Sequence, residues 1–95
     1  MEFENPDSKE FTIYSKSGCI NCRKVKDLLK KMSINFITID CDDYLLEDKE
    51  GFLSFIKNYT VNECKTFPMV FHNGNFIGSF NEVEVYIDKI SAFNF

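Results

Sequence analysis

The sequence holds two cysteines separated by two residues, Cys19-Ile20-Asn21-Cys22. Two thiols at this spacing can close a disulfide and reopen it, and the thiolate of one can attack a disulfide in another molecule. Lys16 and Arg23 lie close by in the chain, and their positive charges would favour the thiolate over the thiol. The motif therefore predicts thiol–disulfide exchange, with Cys19 as the attacking thiol.

The surrounding elements must place this pair at the start of a helix. The β-rich run of residues 11–15 predicts a strand, and residues 19–32 carry apolar side chains at helical spacing. Cys19 would then stand in the first helical turn, where free backbone N–H groups and the helix dipole stabilise an anion. Cys22 follows one turn later on the core side and would resolve a mixed disulfide on Cys19. Ser17 is the predicted N-cap.

A metal site and an inert buried pair are the structural alternatives for the motif. The other cysteines, Cys41 and Cys64, are isolated, and His72 is the only histidine. Structural zinc sites use four Cys or His ligands, so we expect no metal site here. Gly18 directly before the pair and charged residues directly after it argue against an inert, buried pair. Cys41 and Cys64 are interpreted as buried or spectator thiols.

Length and composition predict one domain over residues 1–95, with residues 1–10 as a short polar tail. The chain has 44% hydrophobic and 27% charged residues, as ordinary globular proteins do. Its net charge of −4 argues against general nucleic-acid binding. Residues 1–31 nevertheless hold seven Lys or Arg and five Asp or Glu, so the basic residues gather around the cysteine pair.

We expect Phe93 and Phe95 to pack on the core.

The cellular location follows from what the first residues and the cysteines indicate. The amino terminus is polar and acidic, without the apolar region of a signal peptide, and no apolar run is long enough to cross a bilayer. We therefore expect a cytoplasmic protein without a membrane partner. In such a reducing compartment, cysteines favour catalysis over structural disulfides.

The remaining elements predict an α/β fold. Residues 36–39 are apolar enough for a central or parallel strand, and residues 47–59 carry a helical stripe. Asn73-Gly74 predicts a two-residue hairpin turn. Asn81, with Glu84 three residues later, predicts the capping box of a last helix. The order β-α-β-α-β-β-α predicts a four-strand mixed sheet with helices on both faces.

Three segments together resemble the signature of dithiol glutaredoxins: Tyr14-Ser-Lys-Ser-Gly-Cys19-Ile-Asn-Cys22, Lys65-Thr-Phe-Pro68 and Gly78-Ser-Phe-Asn-Glu82. Their order and spacing match, and the likeness extends over residues 11–90. The resemblance implies a thioredoxin-like fold. It also implies an electron-transport enzyme that uses glutathione as cosubstrate to reduce protein disulfides and protein–glutathione mixed disulfides.

The resemblance also implies a glutathione site and its partners. Pro68 would follow a cis peptide bond, and the backbone of Phe67 would pair with the cysteinyl part of glutathione. Lys16 would meet a glutathione carboxylate, and Thr66 and Gly78 would be structural neighbours of the site. A helix N-terminus would bind the γ-glutamyl carboxylate at Ser79, Phe80 and Asn81. The implied partners are glutathione and disulfide-containing or glutathionylated proteins, and we expect a monomer.

The sequence departs from the family pattern at several positions. Ile20-Asn21 replaces the common Pro-Tyr, Phe67 replaces Val, Ser79 replaces the second Gly, and Asn81 replaces an acidic residue. These changes leave two alternatives open. One is a redoxin reduced by a flavoprotein reductase, and the other is a glutathione-dependent iron–sulfur cluster protein, which the missing proline after Cys19 fits.

Overall fold

The computed structural model describes residues 1–92, so the expectation for Phe93 and Phe95 lies outside the described residues. The elements follow the predicted order. They are β1 (Phe11–Ser15), α1 (Ile20–Lys31), β2 (Phe36–Asp40), α2 (Asp42–Lys57), β3 (Met69–His72), β4 (Asn75–Gly78) and α3 (Phe80–Ala92). No helix of residues 1–92 has the length and apolar character needed to cross a membrane.

The strands form one mixed sheet in the order β2-β1-β3-β4. β1 pairs parallel with β2 and antiparallel with β3, and β3 pairs antiparallel with β4. All five residues of β1 are buried, because the strand has a neighbour on each side and helices above and below. The four-strand mixed sheet is therefore confirmed. The central strand ends at Ser15 and leads directly into the cysteine motif.

A central or parallel strand was predicted for β2, and the structure shows the parallel alternative, because β2 pairs in parallel with β1 but does not lie at the centre. It forms one edge of the sheet, and Ile37 and Thr38 are exposed while Ile39 is buried. Ile39 belongs to the same core cluster as Tyr14, and the apolar residues of β2 do not reveal how many strands lie beside it. Charge at the end of β2, on Asp40, is one of the usual features of an exposed edge strand.

The core divides into two layers because side chains alternate along β1. Tyr14 points into an aromatic layer under α2, with Phe52 and Phe71. Ile13 points into the opposite layer, which is mostly aliphatic and is covered by α1 and α3. That second layer includes Val25, Leu29, Val70, Val83 and Ile87. Helices on both faces of the sheet are thus confirmed.

Residues 1–10 form no helix or strand, but they are docked on the aromatic layer. The ring of Phe3 lies 5.0 Å from that of Tyr44 and 5.6 Å from that of Phe52. The Tyr14 hydroxyl donates a hydrogen bond to the backbone oxygen of Glu4 at 2.6 Å. Because the segment is polar overall, its composition did not predict that Phe3 would dock it on the core.

Two helices begin at residues other than those predicted. α2 begins at Asp42 instead of 47, and its helical backbone is interrupted at Asp48. The Asp48 carboxylate accepts the N–H of Gly51 at 3.1 Å, so the helix is capped a second time inside its length. α3 is preceded by Ser79, whose N–H donates to the Glu82 carboxylate at 2.8 Å. The predicted capping box at Asn81 and Glu84 is therefore wrong, since the observed one lies two residues earlier, at Ser79 and Glu82.

The hairpin between β3 and β4 is confirmed at the predicted turn. Asn73 has φ 55° and Gly74 has φ 78°, and a type I′ turn requires positive φ at both central residues.

Candidate active site

The cysteine pair lies where β1 passes into α1. Cys19 and Cys22 are joined in a disulfide, with their α-carbons 5.3 Å apart. Cys19 itself is the N-cap of α1, and its Sγ accepts the Cys22 N–H at 3.1 Å. The prediction of Ser17 as N-cap is therefore wrong. In the reduced protein the same N–H and the helix dipole would stabilise a thiolate on Cys19.

The two sulfurs differ in their access to solvent. Cys22 is 2% exposed and packs in the aromatic layer, whereas Cys19 is partly exposed. Ile20, directly beside Cys19, is 72% exposed. An outside disulfide can therefore reach Cys19 and not Cys22, which is the asymmetry that an attacking and a resolving thiol require.

The loop before Cys19 is held by a carboxylate from α2. Asp42 accepts hydrogen bonds from both the backbone N–H of Ser17, at 2.9 Å, and the Ser17 hydroxyl. These bonds hold the pKa of the Asp42 carboxyl below its ordinary value, the hydroxyl bond contributing most. Gly18 follows with φ 70°, a conformation that suits glycine. Sequence reasoning missed Asp42, because only the β1–β2 pairing brings it beside Ser17.

The proline loop lies beside the motif on the aromatic side. The Phe67–Pro68 peptide bond is cis, as the resemblance implied. Phe67 is 8% exposed, and its ring stacks 6.2 Å from that of Phe52. The Lys16 Nζ lies 5.5 Å from the centre of the Phe67 ring. The structure thus brings Lys16 and Phe67 together, and the aromatic layer accommodates the large side chain at this position.

The start of α3 lies against the other side of the motif. A small cleft joins Asn21 and Lys24 of α1 to Ser79, Phe80, Asn81 and Glu82. Sequence reasoning included Glu82 in this segment but missed its capping bond to Ser79, although the Ser-x-x-Glu spacing is the usual capping-box signal. Its carboxylate already accepts one of the N–H groups that a bound anion would use.

Thr66 and Gly78 line a neighbouring groove together with Cys64, Ser79 and Glu82. A Cβ added at Gly78 would lie 2.6 Å from the Cβ of Glu82, and Gly78 has φ 137°. Glycine is therefore required where β4 turns into α3, and this turn places Ser79 near Thr66.

Cys41 and Cys64 should differ in their reaction with iodoacetamide at pH 8. Cys41 is fully buried, and burial raises the pKa of its thiol to about 12, so almost no thiolate forms at this pH. Cys64 is half-buried. With the Cys19–Cys22 disulfide intact, we expect peptide mass mapping to find label on Cys64 and none on Cys41.

The same labelling in denaturant serves as the control, since both thiols should then react. Rapid labelling of Cys41 in the folded protein would contradict its assignment as a buried thiol.

His72 does not belong to this site. Its Nδ1 lies 2.6 Å from the Tyr86 hydroxyl, and its ring stacks 4.1 Å from that of Phe11. Burial lowers the pKa of His72 below its ordinary value. Within residues 1–92 no three His, Cys, Asp or Glu side chains come together as a possible metal site.

Comparison with known proteins places the chain in a family. The glutaredoxin family model matches residues 11–77. The chain belongs to the glutaredoxin family. Glutaredoxin-2, a mitochondrial protein of Pongo abelii, is 35% identical over 66 residues, which are 70% of this chain and 38% of that protein. The chain thus spans well under half the length of this relative.

A second relative has a similar size. It is an uncharacterised glutaredoxin-like 8.6 kDa protein from the rubredoxin operon of Clostridium pasteurianum. It is 35% identical over 78 residues, which cover 82% of this chain and 92% of the relative.

Solved glutaredoxin structures confirm the thioredoxin-like fold. Glutaredoxin 1 from Francisella tularensis, crystallised with cacodylate, superimposes with a TM-score of 0.76 at 26% identity over 87% of this chain and 96% of that chain. A buckwheat glutaredoxin–glutathione complex gives a TM-score of 0.67 at 26% identity over 86% of this chain and 72% of that chain. Family membership and the Cys19–Cys22 pair together support thiol–disulfide exchange as the chemistry of the site.

Proposed function

We propose that this glutaredoxin is a glutathione-dependent thiol–disulfide oxidoreductase that reduces protein disulfides and protein–glutathione mixed disulfides. The observation that carries the proposal is the partly exposed Cys19 at the N-terminus of α1 with the buried Cys22 directly behind it. The first thiol can attack from outside, and the second can only react with a disulfide formed on the first. A reducing compartment such as the cytoplasm suits this cycle, because it keeps both thiols reduced between turnovers.

The proposed reaction proceeds by two exchanges. The Cys19 thiolate attacks the glutathione sulfur of a protein–glutathione disulfide, and the protein leaves as a thiolate. A second glutathione thiolate then attacks the Cys19 mixed disulfide, which releases glutathione disulfide and restores the Cys19 thiolate. With a protein disulfide, Cys22 attacks the mixed disulfide on Cys19 instead. The protein leaves reduced, and the enzyme keeps the disulfide bond.

The proposed glutathione site extends on both sides of Cys19. The backbone of Phe67, next to Pro68, would pair with the cysteinyl part of glutathione, and Lys16 would attract a carboxylate. The first N–H groups of α3 would bind the γ-glutamyl carboxylate, at Ser79, Phe80 and Asn81. Two observations support this placement: Lys16 lies over Phe67, and the cleft at the start of α3 reaches Asn21 between the cysteines.

The test follows NADPH oxidation with glutathione, glutathione reductase and a glutathionylated protein. A matched control substrate carries cysteine in place of glutathione in the same mixed disulfide. We expect turnover that needs both glutathione and the enzyme and that is several-fold faster with the glutathionylated substrate. No turnover with either substrate would refute the glutathione-dependent reaction.

A redoxin reduced by a flavoprotein reductase is the second candidate. Glu82 favours it, because its carboxylate occupies the Ser79 N–H and would repel the γ-glutamyl carboxylate of glutathione. Reduction of the Cys19–Cys22 disulfide by NADPH and a flavoprotein disulfide reductase, without glutathione, would support this candidate.

An iron–sulfur cluster would use the Cys19 thiolate with thiols from outside the chain, since Cys22 is buried behind it. Cys19, at the helix N-terminus, is the residue of this chain that would hold the cluster. Visible absorbance of the anaerobically purified protein tests this alternative.

A further inference from the structure

A groove of about 530 Å³ runs along α1 and has Cys19 at one end. Arg23, Lys26 and Lys30 share one face of the helix, because they follow each other at helical spacing. Asp27 is the acidic side chain in this groove, and Lys16 adds a further cation beside Cys19. We call this surface the basic groove. Its lining residues are Ser15, Lys16, Gly18, Cys19, Ile20, Cys22, Arg23, Lys26, Asp27 and Lys30.

The basic groove lies on a different side of α1 from the cleft proposed for glutathione. That cleft uses Asn21 and Lys24, and the Nζ of Lys24 lies 5.6 Å from the centre of the Phe80 ring at the start of α3. On a helix of 3.6 residues per turn, Lys24 points well away from the row that contains Arg23 and Lys30. Arg23, Lys26 and Lys30 therefore remain accessible when the cleft is filled, whereas Lys16 and Cys19 belong both to the groove and to the proposed glutathione site.

Within residues 1–92, no cation of the basic groove forms an ion pair. Among residues 1–92 the ion pair present joins Lys65 and Glu63, outside the groove. Asp42 lies near Lys16, and the hydrogen bonds from Ser17 together with the Lys16 charge lower the pKa of its carboxyl, so it offsets part of the positive charge at that end. Asp40 lines a shallower depression that continues from Lys16 and Lys26 toward the exposed edge of β2. Four cations and one acidic side chain, Asp27, therefore line the groove in a protein of net charge −4.

We propose that the basic groove binds an acidic segment of a disulfide-bearing protein, next to the cysteine that Cys19 attacks. The inference rests on the proposed exchange chemistry and names the substrate class for it. Charge complementarity argues for an acidic partner, and the exposed Ile20 at the lip of the groove offers an apolar contact beside Cys19. A general nucleic-acid partner is disfavoured, because the remainder of the chain is strongly acidic.

The spacing of the cations predicts where the acidic residues stand. With a rise of about 1.5 Å per residue, Arg23, Lys26 and Lys30 lie roughly 6, 10 and 16 Å along the helix from its N-cap. An extended peptide advances about 3.3 Å per residue. Because alternate side chains of an extended segment share one face, acidic side chains about three and five positions from the attacked cysteine would meet Lys26 and Lys30.

The exchange itself needs no added reactant. The Cys19 thiolate bonds to the substrate sulfur, and the other half of the substrate disulfide leaves as a thiolate and takes the Cys22 proton. The Cys22 thiolate then attacks the sulfur of Cys19 and releases the acidic segment as a thiolate. Two electrons pass from the enzyme dithiol to the substrate, and the groove only holds the acidic segment during the first step.

The test compares three peptides, each with one cysteine in a mixed disulfide with 2-mercaptoethanol. The positions three and five residues from the cysteine carry Glu, Ser or Lys. Each peptide reacts with the reduced full chain without glutathione, and chromatography follows the released peptide thiol. Lys30→Glu is the test variant, and Lys31→Glu is the matched control, because Lys31 is exposed in the same turn but does not line the groove.

We expect the Glu peptide to react about tenfold faster than the Lys peptide at low salt, and salt should reduce this difference. Lys30→Glu should slow the Glu peptide about fivefold, whereas Lys31→Glu should change its rate by less than about twofold. The Ser peptide should respond little to either substitution.

Equal rates for the three peptides, or equal loss of rate with the Glu peptide in the two variants, would overturn the acidic-segment proposal. Neither result would contradict the proposed glutathione-dependent reaction, which has its own assay. A DNA oligomer and a cysteine-free acidic peptide of equal charge can each be added as a competitor of the reaction with the Glu peptide. Stronger inhibition by the DNA oligomer would overturn the acidic-segment proposal in favour of nucleic acid. No reaction with any peptide would refute the exchange chemistry itself.

Discussion

Cys19→Ser is expected to lower turnover with every disulfide substrate by at least about a thousandfold, because a hydroxyl cannot replace the attacking thiolate. Cys19 is the partly exposed sulfur of the pair, and its Sγ accepts the N–H of Cys22. Cys22, at 2% exposure, cannot take over the attack on an outside disulfide. The measurement is NADPH oxidation coupled to glutathione reductase, with a glutathionylated protein as substrate.

Cys22→Ser is the matched variant, since it removes the other sulfur of the pair. It should keep most of the turnover of the glutathionylated protein, because glutathione itself resolves that intermediate. It should lose reduction of an intramolecular protein disulfide, which needs the resolving thiol. Activity in Cys19→Ser together with complete loss in Cys22→Ser would reverse the assigned roles.

Phe52→Ala is expected to lower the free energy of unfolding by about 3–5 kcal/mol, because it removes a large buried ring and leaves a cavity. Phe52 is 0% exposed. Its ring lies 5.6 Å from that of Phe3, 5.9 Å from that of Tyr14 and 6.2 Å from that of Phe67. The substitution therefore weakens the docking of the N-terminal segment and the support of the proline loop together. Urea unfolding followed by circular dichroism measures the change.

Leu46→Ala is the control in the same helix, since Leu46 is 85% exposed and should change stability by less than about 0.5 kcal/mol. If Phe52→Ala lowered the free energy of unfolding no more than Leu46→Ala does, the packing of Phe52 in the aromatic layer would not contribute to stability as expected.

The features that the sequence predicts well are those whose signals are local. The cysteine spacing marks the redox motif, and the Asn73-Gly74 pair marks the hairpin because the turn demands two positive φ angles. The β-rich run of residues 11–15 and the helical spacing along residues 19–32 predict β1 and α1. The family resemblance added the cis bond before Pro68, which no local pattern predicts.

The second helix shows how a local pattern can report only part of an element. The apolar stripe that includes Phe52 predicted a start at residue 47, and this stripe belongs to the part of α2 after the interruption at Asp48. The first part of α2 begins at Asp42. This start is polar, and the Asp42 carboxylate accepts a hydrogen bond from the N–H of Ser17. Hydrophobic periodicity detects a helix by the buried side chains along one face. It therefore does not detect a polar helical turn whose side chain makes hydrogen bonds to a loop.

By itself the sequence determined the element order, the cysteine motif and the gathering of basic residues around it. Tertiary structure decided that β2 lies at an edge, that Asp42 holds Ser17 and that the Glu82 carboxylate caps Ser79. It also placed Arg23, Lys26 and Lys30 of α1 in a row that begins beside Cys19, and it turned Lys24 toward Phe80 of α3. The physical reason is that strand neighbours and helix packing depend on contacts between residues far apart in the chain, and no short window of sequence contains both partners.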